Sequence, residues 1–168
     1  CKSLAGADGP RSLPEEPVGA HGTGGSCATA SDLAAFGGGG FWEDGMLSAD
    51  GIAAARADEY ARGSWPEDTE DVVAYGLGWD SVHWYPFAYS GIQAVTKGGD
   101  TILYHAGLVV LPEYDMAAAV LPSGGVSAYN EMAAGQILIA SLADQGVAVP
   151  HTPHPPPPDP RAVRPAGL

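Results

Sequence analysis

Positively charged residues are scarce in this 168-residue sequence. Seven Lys and Arg stand against 20 Asp and Glu, which gives a formal net charge of −13. Such a chain repels the phosphate backbone, so the charge balance argues against a nucleic-acid partner, and it equally disfavours a polybasic membrane contact. Long apolar runs are missing too: no stretch of about 18 apolar residues occurs, so the sequence predicts no membrane span.

Cysteine is nearly absent, with only Cys1 and Cys27 in the chain. The two could form one disulfide in an oxidising compartment or remain two thiols, and their number leaves both open. Because the chain begins with Cys1 rather than Met, we interpret it as a processed product or a piece of something longer. Two more specific alternatives are that Cys1 is an N-terminal nucleophile or a lipid-modified residue. Nothing in the flanking KSLAGADGP positions Cys1 for either role.

The hydrophobic content of 45% predicts a folded domain, and composition divides the chain into three parts. Residues 1–18 are rich in Gly and Pro and predict an irregular lead-in. Residues 19–147 carry the patterned segments of one domain. Residues 148–168 predict a disordered polyproline-like tail, because the last 19 residues hold 8 of the 15 prolines.

Periodicity and turn residues predict an α+β fold, in which helices flank an antiparallel meander of three or four strands. The glycines at 37–40 are expected to end the first helix, and Gly98-Gly99-Asp100 to form a turn or bulge. Pro112 to Asp115 is typical of a hairpin turn. The predicted elements are, in chain order, helices over 27–36 and 48–62, strands over 72–82, 92–97, 101–111 and 116–121, and a closing helix over 127–144.

One segment stands out chemically, the Lys97-Gly98-Gly99-Asp100 box between two predicted strands. Lysine followed by small residues has the shape of the K-T-G box of serine β-lactamases and penicillin-binding proteins. The flanking stretches GTGGSCATASDLAAF, GMLS, YGLGW and LVVLPEYDMAAAVLPSGG resemble segments of the same superfamily, and they occur in its order. The sequence therefore resembles the C-terminal part of a β-lactamase-related serine hydrolase, close to class C enzymes, D,D-peptidases and esterases.

The resemblance implies a β-lactamase/transpeptidase-like fold that lacks its N-terminal part, and hydrolysis of an amide or ester through an acyl-enzyme. Lys97 would supply positive charge near a substrate carboxylate, and the backbone N–H of Asp100 would belong to the oxyanion hole. Gly98 and Gly99 would let a small-molecule or peptide substrate lie against the strand. No metal or organic cofactor is implied, and a location outside the cytoplasm or at the cell envelope is expected, with a cytoplasmic one still open.

The sequence also departs from the family pattern. Gly98 replaces the usual hydroxyl residue, and the Asp100 carboxylate is unexpected beside an oxyanion, so we expect it to point away. The nucleophile motif S-x-x-K occurs nowhere, and neither does Y-x-N. We therefore expect this chain alone to be inactive and the missing N-terminal half of the fold to carry the serine. The alternative function is a non-catalytic module or degenerate remnant that recognises a peptide or peptidoglycan-like ligand.

Each notable residue also has a plain structural interpretation. Lys97 could be a surface lysine, Asp100 a turn residue, and His105 a sheet histidine rather than a base. The pair His151 and His154 has metal-ligand spacing, but a proline-rich tail gives it no fixed geometry. Surface positions are expected for His21 and His83, and core or interface positions for Trp42, Trp65, Trp79 and Trp84.

Overall fold

The computed structural model describes the chain in seven stretches, and within residues 2–12 it describes the backbone only. These stretches are residues 2–6, 9–12, 24–42, 46–59, 74–101, 104–122 and 130–149. The architecture is α+β, as predicted: a three-stranded antiparallel sheet lies between a C-terminal helix and a layer of short helices. No described helix is both long and apolar enough to cross a bilayer.

The sheet is the predicted meander. Its strands β3 (Val95–Asp100), β4 (His105–Leu111) and β5 (Met116–Val120) follow one another in space as in sequence. The central strand β4 is buried almost throughout, because both of its faces are covered, and this explains its continuous apolar run. In β3 only the first two residues are buried, and the four from Lys97 onward are more exposed. The chemically distinctive box therefore lies on the accessible end of an edge strand in the described sheet.

One face of the sheet packs against the helix α3 (Asn130–Asp144). Leu138 and Leu142 of this helix are buried against Val109 and Leu111 of β4. The helix begins directly over the sheet at Gly107, where an added Cβ would lie 2.6 Å from both the carbonyl carbon of Asn130 and the backbone nitrogen of Glu131. A side chain at position 107 would therefore collide with helix backbone.

The other face of the sheet is covered by α1 (Ala30–Ala35), a wide π-helical turn (Phe36–Gly40) and α2 (Ala49–Ala55). Trp42 and Trp79 stack there, with ring centroids 5.8 Å apart, over Leu108 and Val110. The glycine-rich turn approaches the strands closely: a Cβ at Gly37 would lie 2.7 Å from Val110 Cγ2. The glycines thus allow close packing, and the turn continues the first helix as a wider coil.

A capping box starts α1. Asp32 N donates to Thr29 Oγ1 (3.1 Å), while Thr29 N (3.0 Å) and Thr29 Oγ1 (2.7 Å) donate to Asp32 Oδ2. These bonds, first that from the Thr29 backbone and then that from its side chain, lower the pKa of Asp32 below its usual 3.8. The resemblance to the superfamily's Asp-Leu-x-x-Phe helix thus includes an aspartate with a capping role.

We expect Asp32→Asn to reduce stability only where the carboxylate is ionised. Because the folded-state pKa is lowered, the contribution of Asp32 is fully present above its unfolded-state pKa, near 3.8, and is lost as the pH falls through the lower folded value. Urea unfolding of both proteins across acidic pH tests this. The difference between their midpoints is expected to be constant near neutrality and to vanish in acid; a difference that persists at the lowest pH contradicts it.

Some predicted elements differ from the observed ones. Two antiparallel strands, β1 (Lys2–Gly6) and β2 (Gly9–Ser12), pair where an irregular lead-in was expected, because glycine-rich chains can still pair through backbone groups alone. Gly98-Gly99-Asp100 is strand rather than turn, since its partner β4 continues opposite it. The second helix ends at Ala55, well before 62.

The predicted strand over 72–82 is wrong for its described part, residues 74–82. Gly78 has φ +78° inside a turn, and only the single bridge from Ser81 to Thr96 pairs with the sheet. The start of the closing helix at 127 lies outside the described residues, as do Cys1, Trp65, His21 and the tail from Pro150, including His151 and His154.

Candidate functional site

The outer edge of β3 is the part of the sheet that presents Lys97. Thr96 N donates to Ser81 O (2.9 Å), so the backbone groups of Thr96 face away from β4. By the alternation of an antiparallel ladder, the N–H groups of Gly98 and Asp100 lie on the same edge. The Lys97 side chain shares the face of Val95, which is the face opposite α3. This edge therefore combines a cationic side chain with outward backbone donors.

The YGLGW segment places an acid beside that edge. Gly76 N donates to Trp79 O (3.1 Å) and Trp79 N to Gly76 O (3.4 Å), which closes a tight turn that needs the positive φ of Gly78. Trp79 is only 5% exposed and anchors the turn in the core. The next residue is Asp80, whose backbone N donates to Thr96 O (2.9 Å) and so holds it next to Lys97.

Asp80 receives three hydrogen bonds from the box. Lys97 Nζ lies 3.0 Å from Asp80 Oδ1 and 3.1 Å from Oδ2, and Gly98 N donates to Oδ2 at 2.6 Å. Lys97 Nζ also donates to the carbonyl oxygen of Gly98. The side chains of Lys97 and Asp80 keep 46% and 42% of their exposure, so the pair lies open to solvent rather than in the core.

A side chain of α3 lies next to Gly98. An added Cβ at this position would meet Glu131 Oε1, at the start of α3. This oxygen is the end of a flexible side chain, which can rotate away, so the contact does not by itself require glycine. Gly99 differs, because its added Cβ would meet only Ala106 Cβ at 3.9 Å, an ordinary contact.

The carboxylate of Asp100 lies on the opposite face of the sheet from the Lys97 side chain. Asp100 Oδ1 lies 2.7 Å from His105 Nδ1 on the paired strand, which is hydrogen-bonding distance. His105 is buried, and among the described residues its Nε2 has no hydrogen-bond partner. The two residues form an acid–histidine pair within the sheet, on the α3 side, away from Lys97.

The structure thus gathers the four predicted site residues on one short strand, with only Lys97 among their side chains on the face opposite α3. It adds two residues that sequence reasoning missed, Asp80 and Glu131. Asp80 could have been noticed because it directly follows YGLGW and one of only two lysines lies in the next strand. Glu131 carries no such local signal, because its approach to Gly98 depends on how α3 docks.

The tryptophans and the histidine outside the site behave as ordinary structural residues. Trp42 and Trp79 are core, Trp84 packs against the α3 cluster, and His83 is exposed. Among the described residues, no group of three or more His, Cys, Asp or Glu side chains could hold a metal ion.

One open pocket lies at the other end of the sheet, near the start of β3. It has a volume of about 520 Å³ and is lined by His83, Ala88, Gly91, Ile92, Gln93 and Glu113. It contains none of the predicted site residues.

Comparison with known proteins gives one result. The family model described as Beta-lactamase matches residues 2–142, which is most of the 168-residue chain. The match begins inside the stretch that the sequence analysis placed before the domain, and it includes β3 and its edge. No curated protein and no solved structure gives a significant match.

Proposed function

We propose that this chain, which belongs to the beta-lactamase family, supplies one wall of the active-site cleft of a serine hydrolase that cleaves an amide or ester. The observation that carries the proposal is the β3 edge: Lys97 stands on an accessible strand inside the family match, next to the outward N–H of Gly98, which donates to Asp80 in this structure. An extended substrate can add to such an edge through backbone hydrogen bonds.

In the proposed reaction, a serine oxygen attacks the carbonyl carbon of the substrate and an acyl-enzyme forms as the leaving group departs with a proton. Water then cleaves the acyl-enzyme. The N–H of Asp100 would donate to the oxyanion of each tetrahedral intermediate, and Lys97 would add positive potential to the same region. Gly98 and Gly99 would leave room for the substrate along the strand.

The nucleophile is proposed to lie outside these residues. The sequence contains no S-x-x-K and no Y-x-N, so the serine and its activating groups would come from chain encoded upstream of Cys1. The β3 edge would then close the cleft from the sheet side.

A covalent-labelling experiment tests this proposal. The product of the whole reading frame and the 168-residue chain would each be treated with a fluorophosphonate and with a penicillin, and intact masses recorded. We expect a single serine adduct on the longer product and none on the 168-residue chain. A reading frame that starts at Cys1, or a longer product that neither reagent labels, contradicts the catalytic proposal.

A binding module is the second candidate, and the absence of S-x-x-K is the observation that favours it. The same edge would then hold a peptide or peptidoglycan-like ligand without cleaving it. Unlabelled full product that still binds peptidoglycan fragments in a calorimeter would support this function over the first.

A further inference from the structure

A side chain of the protein itself occupies the position at the β3 edge where an anion would bind. A lysine ammonium and a strand N–H, both directed at one point, form a site that fits a carboxylate, because charge-assisted hydrogen bonds favour this geometry. In this chain the point is already filled: Asp80 accepts from Lys97 Nζ at 3.0 and 3.1 Å and from Gly98 N at 2.6 Å. The chain therefore carries its own anionic occupant.

The occupant is held in place on both sides. The buried Trp79 precedes it, and the bonds from Asp80 N to Thr96 O and from Thr96 N to Ser81 O, each 2.9 Å, fix its backbone against β3. A lone exposed ion pair is weak, but this carboxylate also accepts a fixed strand N–H and pays little entropy to stay. A dissolved carboxylate would have to displace a tethered one.

Further charge of the same sign lies close by. Glu131 Oε1 approaches Gly98 from the α3 side of the sheet, so two carboxylates, those of Asp80 and Glu131, lie next to the Gly98 position. Like charges at this position raise the cost of binding a third carboxylate there. A carboxylate arriving at the place of Asp80 is therefore opposed by occupation of the donors and by the like charge of Glu131.

We propose that Asp80 is a specificity-determining residue, a built-in carboxylate that fills the anion position of the β3 edge and restricts the cleft to substrates that are neutral or cationic at the group facing Lys97. This inference rests on the proposed function in taking the β3 edge as a substrate-binding wall. Neutral esters and amides are then the favoured substrate class, and substrates with a free carboxylate at that position are rejected.

Amide NMR of the full 168-residue chain tests the inference without any turnover. Benzoate is the anionic probe and benzamide its neutral counterpart, and the Gly98 amide is the reporter. We expect benzoate to bind Asp80→Ala at least about tenfold more tightly than the original chain, because the donors of Lys97 and Gly98 become available. Benzamide is expected to bind both equally weakly.

Two further variants complete the experiment. Asp144→Ala removes one negative charge from an exposed position of α3, so it controls for net charge and is expected to bind benzoate like the original chain. Asp80→Ala combined with Glu131→Gln prevents Glu131 from taking the vacated place. The amide spectrum of each variant also shows whether that variant is folded. If Asp80→Ala does not fold, Asp80→Asn, which conserves the shape of the side chain, is used in its place.

Two outcomes overturn the inference. In one, benzoate shifts the Gly98 amide of the original chain and of Asp80→Ala with equal affinity, so Asp80 excludes nothing. In the other, benzoate binds neither Asp80→Ala nor the double variant, so the edge is no anion site. Both outcomes can be recognised independently of the fluorophosphonate labelling. If labelling fails but benzoate binds only the Asp80 variants, the hydrolase proposal is rejected and the inference about Asp80 stands.

Discussion

Replacing Gly107 by alanine is expected to lower the free energy of unfolding by about 3 kcal/mol, the upper part of the range for overpacking a core. The added Cβ would lie 2.6 Å from the carbonyl carbon of Asn130 and from the nitrogen of Glu131, and 2.7 Å from Asn130 Cβ. Two of these three atoms are helix backbone, which cannot rotate away as a flexible side chain can. Either α3 lifts from the sheet or β4 bends, and both lose buried contacts.

Gly99→Ala is the matched control for Gly107→Ala. It adds the same methyl group on the neighbouring strand, where the nearest atom would be Ala106 Cβ at an ordinary 3.9 Å. Its effect is expected to stay within about 1 kcal/mol and to favour stability, because glycine in a strand costs conformational entropy. Urea unfolding followed by tryptophan fluorescence compares the two. Equal midpoints for the two variants would show that α3 does not press on Gly107.

The stability of this contact also matters for the site. Gly107 is paired with Gly98, and Glu131, the second residue of α3, reaches over Gly98. A shift of the helix start would therefore move a carboxylate at the β3 edge. The start of α3 therefore determines both the packing against Gly107 and the position of the Glu131 carboxylate next to Gly98.

The sequence predicted best where local signals and tertiary context agree. The hairpin from β4 to β5 follows from a continuous apolar strand and a proline-led turn, and its two strands end and begin at the turn where expected, at Leu111 and Met116, although β4 starts four residues later than predicted. The cap at Ser48 likewise marks the start of α2, with Gly51 N donating to its Oγ at 3.1 Å. These features depend on neighbours within a few residues.

The glycines account for most of the errors. A run such as Gly98-Gly99 favours a turn by propensity, yet here it is strand, since β4 lies opposite and pairs with it. The segment with Gly76 and Gly78 suggested a strand with close approach but forms a turn. Small residues fit both structures, so only the packed fold decides between them.

In the candidate site, too, the sequence predicted the local feature and missed the one that depends on packing. The box around Lys97 was recognisable because its residues are consecutive, whereas its partner Asp80 lies 17 positions away. Only the turn at 76–79 and the bridge from Ser81 to Thr96 bring the two together. The position of Asp80 directly after YGLGW was the one sequence signal for this ion pair, and it does not by itself identify Lys97 as the partner.

Lys97→Ala is expected to slow phosphonylation of the serine in the whole-reading-frame product by about 10²–10³-fold, the loss typical of removing one group that stabilises an oxyanion. The effect has two physical parts. Positive potential disappears from the β3 edge, and the carboxylate of Asp80, which now pairs with Lys97 at 3.0 Å, is left uncompensated beside the developing negative charge. The measurement is the second-order rate constant for fluorophosphonate labelling, with thermal unfolding recorded for each variant.

Two companion variants separate these parts. Lys97→Arg keeps the charge and is expected to retain most of the rate, whereas a purely structural role for the lysine stem predicts a loss in both variants. Combining Lys97→Ala with Asp80→Ala is expected to recover part of the lost rate, because the second change removes the uncompensated carboxylate. If the double variant is as slow as Lys97→Ala alone, Asp80 contributes nothing to the potential at the reacting centre. If Lys97→Ala itself is labelled at the original rate, the β3 edge is not the wall of the cleft. The fraction of the labelling rate that the double variant recovers therefore measures how far the electrostatic potential at the β3 edge depends on the Lys97–Asp80 pair rather than on Lys97 alone.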